Sequence, residues 1–270
     1  MNAGIDVNQI QRFGAFYIAG ARIRSISKWK AIIAAVDIGN PLFYLISVGI
    51  GIGVLVQNHS GTSGTGGIKY IAFIAPALLA NTAITGVMDE CIFPTIEGFK
   101  WRKLFFAQNA TPITGYQIAT GVYIAAIARA IFSVSVYYIL LLIFNVIDFG
   151  FSLLLIPVAV FGGAAFGSVM LFFAAKIEKE DYFFNIIQRL VIMPMFLFSG
   201  TFFPLKTMPI FLQPIGWVSP LWHATELGRA VAFGYKGPSF LLVVHFLYLA
   251  IMIAVAFGLS LRQFERRLSK

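Results

Sequence analysis

The chain has 270 residues, 59% hydrophobic and only 11% charged, with a formal charge of +9 and a mean hydropathy of +0.85. A soluble globular domain carries about 25% charged residues, so the composition excludes one and points to an all-α polytopic membrane protein. The length holds about six spans of about 20 residues with their connections; no soluble catalytic domain fits, and the lone Cys91 excludes an intrachain disulfide framework or thiolate metal cluster.

Residues 1–30 interleave Arg12, Arg22, Arg24, Lys28 and Lys30 with Phe13, Phe16, Tyr17, Ile18, Ile23, Ile26 and Trp29. A signal peptide would place its charges before one continuous apolar core, and that order is missing. The pattern predicts an amphipathic helix on the cytoplasmic face, with Trp29 and the basic side chains at headgroup level; a frayed basic tail is the alternative. The first span is expected over 31–56, with Asp37, Asn40 and Pro41 in its first turns and Gly49 and Gly53 at the spacing of close helix contact. A polar, glycine-rich external loop follows over 57–67. Gly61 to Lys69 looks a little like a phosphate-binding loop, but Ile68 separates Gly67 from Lys69 and Tyr70 follows, so G-x-x-x-x-G-K-[ST] is not met. If ATP is used, another chain must hydrolyse it.

The second span, 68–93, turns polar at Asp89 and Glu90, which read as interfacial acids or as a proton site. Between spans, 97–114 carries Glu97, Lys100, Trp101, Arg102, Lys103, Phe105 and Phe106 and ends in Thr111-Pro112. A charged segment with exposed aromatics on the cytoplasmic face is either a membrane-surface helix or a docking element for a soluble partner. The third span, 115–145, contains Arg129 in an apolar run, where it must face protein, water or a carboxylate; structural pairing and a contact to cargo are the two readings. The fourth, 151–175, has Gly163 and Gly167 at close-packing spacing and leads into a second cytoplasmic loop, Lys176 to Asp181. The fifth is expected over 182–199, with Arg189 in its first turns.

From Pro194 to Pro238 the chain is apolar but interrupted by Pro204, Pro209, Pro214 and Pro220. A helix interior loses about 3 kcal/mol at each proline, and freed backbone groups in lipid need partners. The stretch therefore predicts two short, partly inserted helices at one mouth of the protein. Ser219-Pro220 is a helix start and Gly234 a stop; the segment between them reaches about 21 Å, short of a hydrocarbon core of about 30 Å. The sixth span, 239–261, returns to Arg262, Arg266, Arg267 and Lys270. With both termini cytoplasmic, the inner segments hold 15 of the 20 Lys and Arg, as the positive-inside bias requires, and the proline-broken stretch faces outside.

This layout, with Phe198-Ser-Gly-Thr-Phe-Phe-Pro204, Met208-Pro209 and Ser219-Pro220-Leu-Trp-His-Ala-Thr-Glu226-Leu-Gly-Arg229, resembles the permease subunits of ABC-2 type exporters. Within them it looks most like the branch of NodJ-like lipooligosaccharide exporters and daunorubicin-type drug exporters. The resemblance implies one domain over 1–270 with six transmembrane helices, an N-terminal amphipathic interfacial helix and two short re-entrant helices before the last span. It implies that 97–114 couples to a nucleotide-binding ATPase subunit, with Glu97, Lys100, Trp101, Arg102, Lys103, Thr111 and Pro112 as candidate contacts. The helices around 203–213 and 220–233 would narrow the exit, with Phe202, Phe203, Pro204, Pro220, Glu226 and Arg229 at the gate. Glu226 and Arg229, at i and i+3, are expected to pair; a gate latch is the alternative.

The implied chain is a transport subunit, not an enzyme. It carries no cofactor or metal of its own; ATP and magnesium belong to the ATPase, present as two copies or two homologues. A second permease copy or homologue and the lipid bilayer complete the partners, with no nucleic acid. The location is a bacterial inner membrane, and the cargo a lipid-linked glycan, glycolipid or hydrophobic drug. A secondary transporter would instead show related halves and broken helices near the membrane centre. No inverted repeat is clear, and His59, His223 and His245 are too scattered in sequence to suggest an intramembrane enzyme.

Overall fold

Proline and glycine decide where the helices of this chain stop and how closely they approach. The computed structural model describes residues 7–52, 68–177, 183–234 and 238–269, among which every regular element is helical. Gly53, the 57–67 loop and the acidic residues at 178, 180 and 181 lie outside the described residues. Helix α1 (Val7–Ser27) is followed by α2 (Lys30–Ile46), which contains Pro41 and passes into a π-helical turn, Ser47–Ile52. The axes of Asn8–Ser27 and Ala31–Ile46 differ by 77°. Helix α3 (Tyr70–Ile96) continues through a π-helical turn, Glu97–Trp101. In that turn the Arg102 N–H donates to the Glu97 carbonyl five residues back, at 2.9 Å.

Then come α4 (Leu104–Asn109), α5 (Gly115–Ile143) and α6 (Leu155–Lys176). Next are α7 (Ile187–Phe198), α8 (Gln213–Val218), α9 (Pro220–Phe233) and α10 (Ser239–Leu268). Four stretches among the described residues are long and apolar enough to cross a membrane: Tyr70–Trp101, Gly115–Ile143, Ser152–Lys176 and Ser239–Leu268. The protein is thus a multi-pass helical membrane protein. Helix α7 is apolar but shorter, and the first expected span is described only as far as residue 52.

Helix α3 is the axis of the bundle, and small residues explain why. A Cβ at Gly163 of α6 would stand 2.7 Å from the Ala83 carbonyl oxygen of α3, and one at Gly167 would collide with Val87. Such close approach is what drives helix association in lipid, where burial of apolar surface gives no net gain. The packing falls into three clusters, one around Ile74, Tyr137 and Leu141, one around Ile84, Phe166 and Leu249, and one around Phe99, Phe105 and Phe264. Helix α1 buries Gly14, Ile18 and Ala19 against α5 and leaves Phe13, Phe16 and Tyr17 exposed. Its outward face is thus aromatic as well as basic, which suits headgroup depth.

The proline-broken stretch differs from expectation in one half. The helix expected over 203–213 shrinks to a 3-10 turn, Leu205–Thr207, because Met208 is extended before Pro209 (φ −78°, ψ 152°). Pro214 instead opens α8. The second half, α9, starts where Ser219 Oγ accepts from the Leu221 N–H at 3.2 Å and stops at Gly234, with φ of 75°.

Candidate functional site

At the C-terminal end of α3 the chain builds a braced base under an exposed surface. Lys103 adopts the left-handed conformation (φ 51°) and turns the backbone out of the π-helical turn into α4. Beneath, the Phe99 ring meets Phe105 edge-on at 5.0 Å and Phe264 at 4.9 Å. The Arg267 guanidinium lies 4.2 Å above Phe99 and donates to the carbonyls of Ala175 and Ile177 at 2.7 and 3.1 Å. Arg22 of α1 bridges Glu90 (3.2 Å) and Glu97 (3.5 Å), and Arg102 joins Glu97 at 3.0 Å. Further on, the Thr111 hydroxyl donates to the Gln108 carbonyl, and Thr114 and Gln117 form a capping box that starts α5. Gln117 also donates to the Gln11 carbonyl of α1. Trp101, Arg102, Lys103, Phe106, Thr111 and Pro112 stay exposed, whereas Glu97 and Lys100 are half-buried.

Halfway along α5, Arg129 forms a fork with Asp37 of α2 at 2.8 and 3.1 Å, and the Ser133 hydroxyl donates to the same carboxylate at 3.1 Å. Arg129 lies 14 positions after Gly115, about 21 Å along the helix, so the pair sits well inside the bundle. It borders a cavity of about 260 Å³. The walls repeat one pattern: Asn81, Thr85 and Asp89 on α3, and Arg129, Ser133 and Tyr137 on α5, each at i, i+4 and i+8. Asp37 was visible in sequence, but its partnership was not. The polar stripes at helical spacing were the signal that could have found the cavity.

Near the N-terminal end of α3, Arg229 of α9 gathers four partners. It donates to the carbonyls of Phe73 (3.3 Å), Gly200 (2.7 Å) and Thr201 (3.3 Å), pairs with Glu226 at 2.9 Å, and stacks 3.8 Å over the Phe73 ring. Phe202 meets Phe196 edge-on at 5.3 Å, and Phe196 meets Tyr44 at 5.8 Å, so a chain of rings runs from this turn to the cavity wall. Phe203 points outward and Pro204 precedes the 3-10 turn; Pro220 is buried at the first turn of α9.

Two histidines that are far apart in sequence also meet. His223 Nε2 lies 3.0 Å from the Trp217 carbonyl, so it carries the proton and donates. His223 Nδ1 is then the acceptor in its 2.8 Å contact with His245 Nδ1. Burial pushes the His223 pKa down to about 4, opposed by its bond to Trp217.

Long apolar helices around a buried polar stripe, with a braced and charged turn at one end of α3, are the build of a helical membrane protein with a polar interior. The family described as ABC-2 type transporter matches residues 17–233, and the chain belongs to it. It is thus the membrane subunit of an ABC transporter. Nodulation protein J of Neorhizobium galegae is 29% identical over 250 residues, 92% of each chain. The same protein of Rhizobium leguminosarum bv. viciae is 30% identical over 92% of this chain and 93% of its own length. A probable multidrug ABC transporter permease, YbhR, of Escherichia coli K12 is 24% identical over 61% of this chain and 44% of its own. These relatives set the chain in the NodJ-like branch of ABC-2 permeases.

Proposed function

We propose that this permease is the membrane half of an ATP-driven exporter in a bacterial inner membrane, with six passes, both termini cytoplasmic and 31–56 and 182–199 completing the spans. A separate ATPase subunit binds ATP and magnesium and docks on the turn between Glu97 and Pro112. Two permease copies, or this chain and a homologue, line the pathway. The cargo is an amphiphile: a lipid-linked glycan, a glycolipid or a hydrophobic drug. It leaves past α8, α9 and the Phe202-Phe203-Pro204 turn.

The observation that carries this reading is the continuity of α3. Its helical rod of 32 residues reaches about 48 Å, with the basic aromatic turn at one end. Near the other end Arg229 holds the Phe73 carbonyl together with the turn at Gly200 and Thr201. A push on Trp101 and Arg102 is thereby delivered to the turn at the exit. Inside-out membrane vesicles containing the permease with its co-expressed ATPase should accumulate a fluorescent amphiphile when given ATP. Accumulation driven by a proton gradient without ATP would make it a secondary transporter instead.

A further inference from the structure

We propose that the elbow between α1 and α2 holds one anionic phospholipid of the surrounding leaflet as a fixed, untransported ligand, with an acyl chain in an apolar cleft beside α5 and the phosphate at Arg24 and Lys28. The inference goes beyond transport: neither cargo nor ATPase takes part, and only the placing of α1 at the membrane surface is shared with the topology proposed above. The cleft, about 240 Å³, is walled by Ile23 and Ile26 of α1, Ile33 of α2, and Ala125, Ala128 and Phe132 of α5. The two polar side chains on its wall are already engaged. Ser27 donates to the Arg24 carbonyl at 2.9 Å, and Arg129 is forked on Asp37 at 2.8 and 3.1 Å. The remaining wall is hydrocarbon, which accepts an alkyl chain and offers a polar molecule no compensation for its lost water.

Shape selects a lipid. The axes of Asn8–Ser27 and Ala31–Ile46 differ by 77°, so with α1 in the headgroup plane α2 runs close to the membrane normal. Helix α1 exposes Phe13, Phe16 and Tyr17, and Trp29 at the bend is 62% exposed, side chains that anchor a helix at the interface. A phospholipid standing in the leaflet makes the same corner, its head level with α1 and its chain parallel to α2. Charge selects the head. Arg24, in the last turn of α1, and Lys28, just beyond it, are exposed and have no carboxylate partner among the described residues. Glu90 and Glu97 are taken up by Arg22 and Arg102, and Asp37 by Arg129, while Asp89 lines the polar cavity. A choline head would bring a cation of its own to this basic corner; phosphatidylglycerol brings only the phosphate charge, which Arg24 and Lys28 attract.

The test gives the full chain, purified in a mild detergent, equimolar phosphatidylglycerol and phosphatidylcholine with the same palmitoyl and oleoyl chains. Retained lipid is counted by native mass spectrometry, and thermal melting is the second readout. Phosphatidylglycerol should be retained about 25-fold over phosphatidylcholine, two basic side chains at about fivefold each. It should also raise the melting temperature, as a ligand of the folded state does. Arg24→Gln with Lys28→Gln, both surface changes that the fold should tolerate, should bring the two lipids to parity and abolish the rise. Ala128→Trp, which fills the cleft, should weaken retention of both. Parity on the unmodified chain, or a preference untouched by Arg24→Gln with Lys28→Gln, would overturn the proposal. The comparison of heads on the unmodified chain decides the matter even if the cleft variant fails to fold. No ATPase is needed, so a negative result removes this seat and leaves the ATP-driven reading to its own experiment.

Discussion

Arg229 is held by three carbonyls and a carboxylate, and its guanidinium is nearly enclosed. Arg229→Ala would leave those carbonyls buried without donors and Glu226 without its cation, at about 3–5 kcal/mol. The purified variant should therefore melt well below the unmodified permease. Arg229→Lys keeps the charge but cannot reach the same carbonyls at once, so its melting temperature should lie between the two. Equal stability of all three would mean that the cluster contributes nothing.

His223 supplies a dependence on pH. Its folded-state pKa is lowered, to about 4, from an ordinary value of 6.5, so its contribution to stability is complete above about 6.5 and disappears as pH falls toward 4. Protonation removes the acceptor at Nδ1 and sets a cation against the His245 ring. Glu226 favours the protonated form but not enough to offset burial. A melting curve between pH 7 and 4 should fall for the native chain and fall less for His223→Gln, which cannot titrate. Parallel curves would show that His223 is not the group responsible.

Among the elements, α3 gains its central place from the glycines that face it. Gly167→Val would drive a branched side chain into Val87; overpacking of this kind costs about 1–3 kcal/mol, and thermal unfolding of the variant should report it. A Gly258→Ala control, where an added Cβ meets nothing within 4 Å, should change little. At the outer end, replacing Phe202 and Phe203 with serine cuts the ring contact to Phe196. Export by that double variant should drop while ATPase binding persists, and loss of binding instead would move the gate elsewhere.

Much at this level could be read in the sequence. Gly163 and Gly167 announce close packing because small residues at helical spacing in an apolar run let two backbones meet. Ser219-Pro220 and Gly234 bound α9 because capping and positive φ are local demands. The helix expected over 203–213 failed for an equally local reason, since Pro209 fixes its predecessor in an extended conformation. What could not be read depends on contacts between distant segments. Phe264 and Arg267 look like the tail of a last span, yet they form the floor of the turn that follows α3. Asp37 meets Arg129 across 92 positions, and His223 meets His245 across two helices. No periodicity within one helix names the helix that will face it.

For the whole molecule, the two turns lie at opposite ends of α3. The turn after α3 is braced by the aromatic floor, by Arg22 and by the capping box of α5, and in the proposed exporter force applied there would pass to α3. The turn at Gly200 and Thr201 is gripped by Arg229, which touches the same helix. The polar cavity lies between them. In the proposed exporter the energy comes from a separate ATPase, and the exposed basic and aromatic side chains of the turn after α3 are where it would enter.

The most direct test is to pull the ATPase down with tagged permease and measure its ATP hydrolysis in proteoliposomes, comparing the native chain with the charge reversal Lys100→Glu, Arg102→Glu, Lys103→Glu. Surface ion pairs within the chain are worth little, so the variant should fold and melt nearly as the native chain does. Loss of three complementary charges should nevertheless cut retained ATPase, and hydrolysis with it, by at least about tenfold. An ATPase retained in full by the reversed chain, or none accompanying the native chain, would contradict the account.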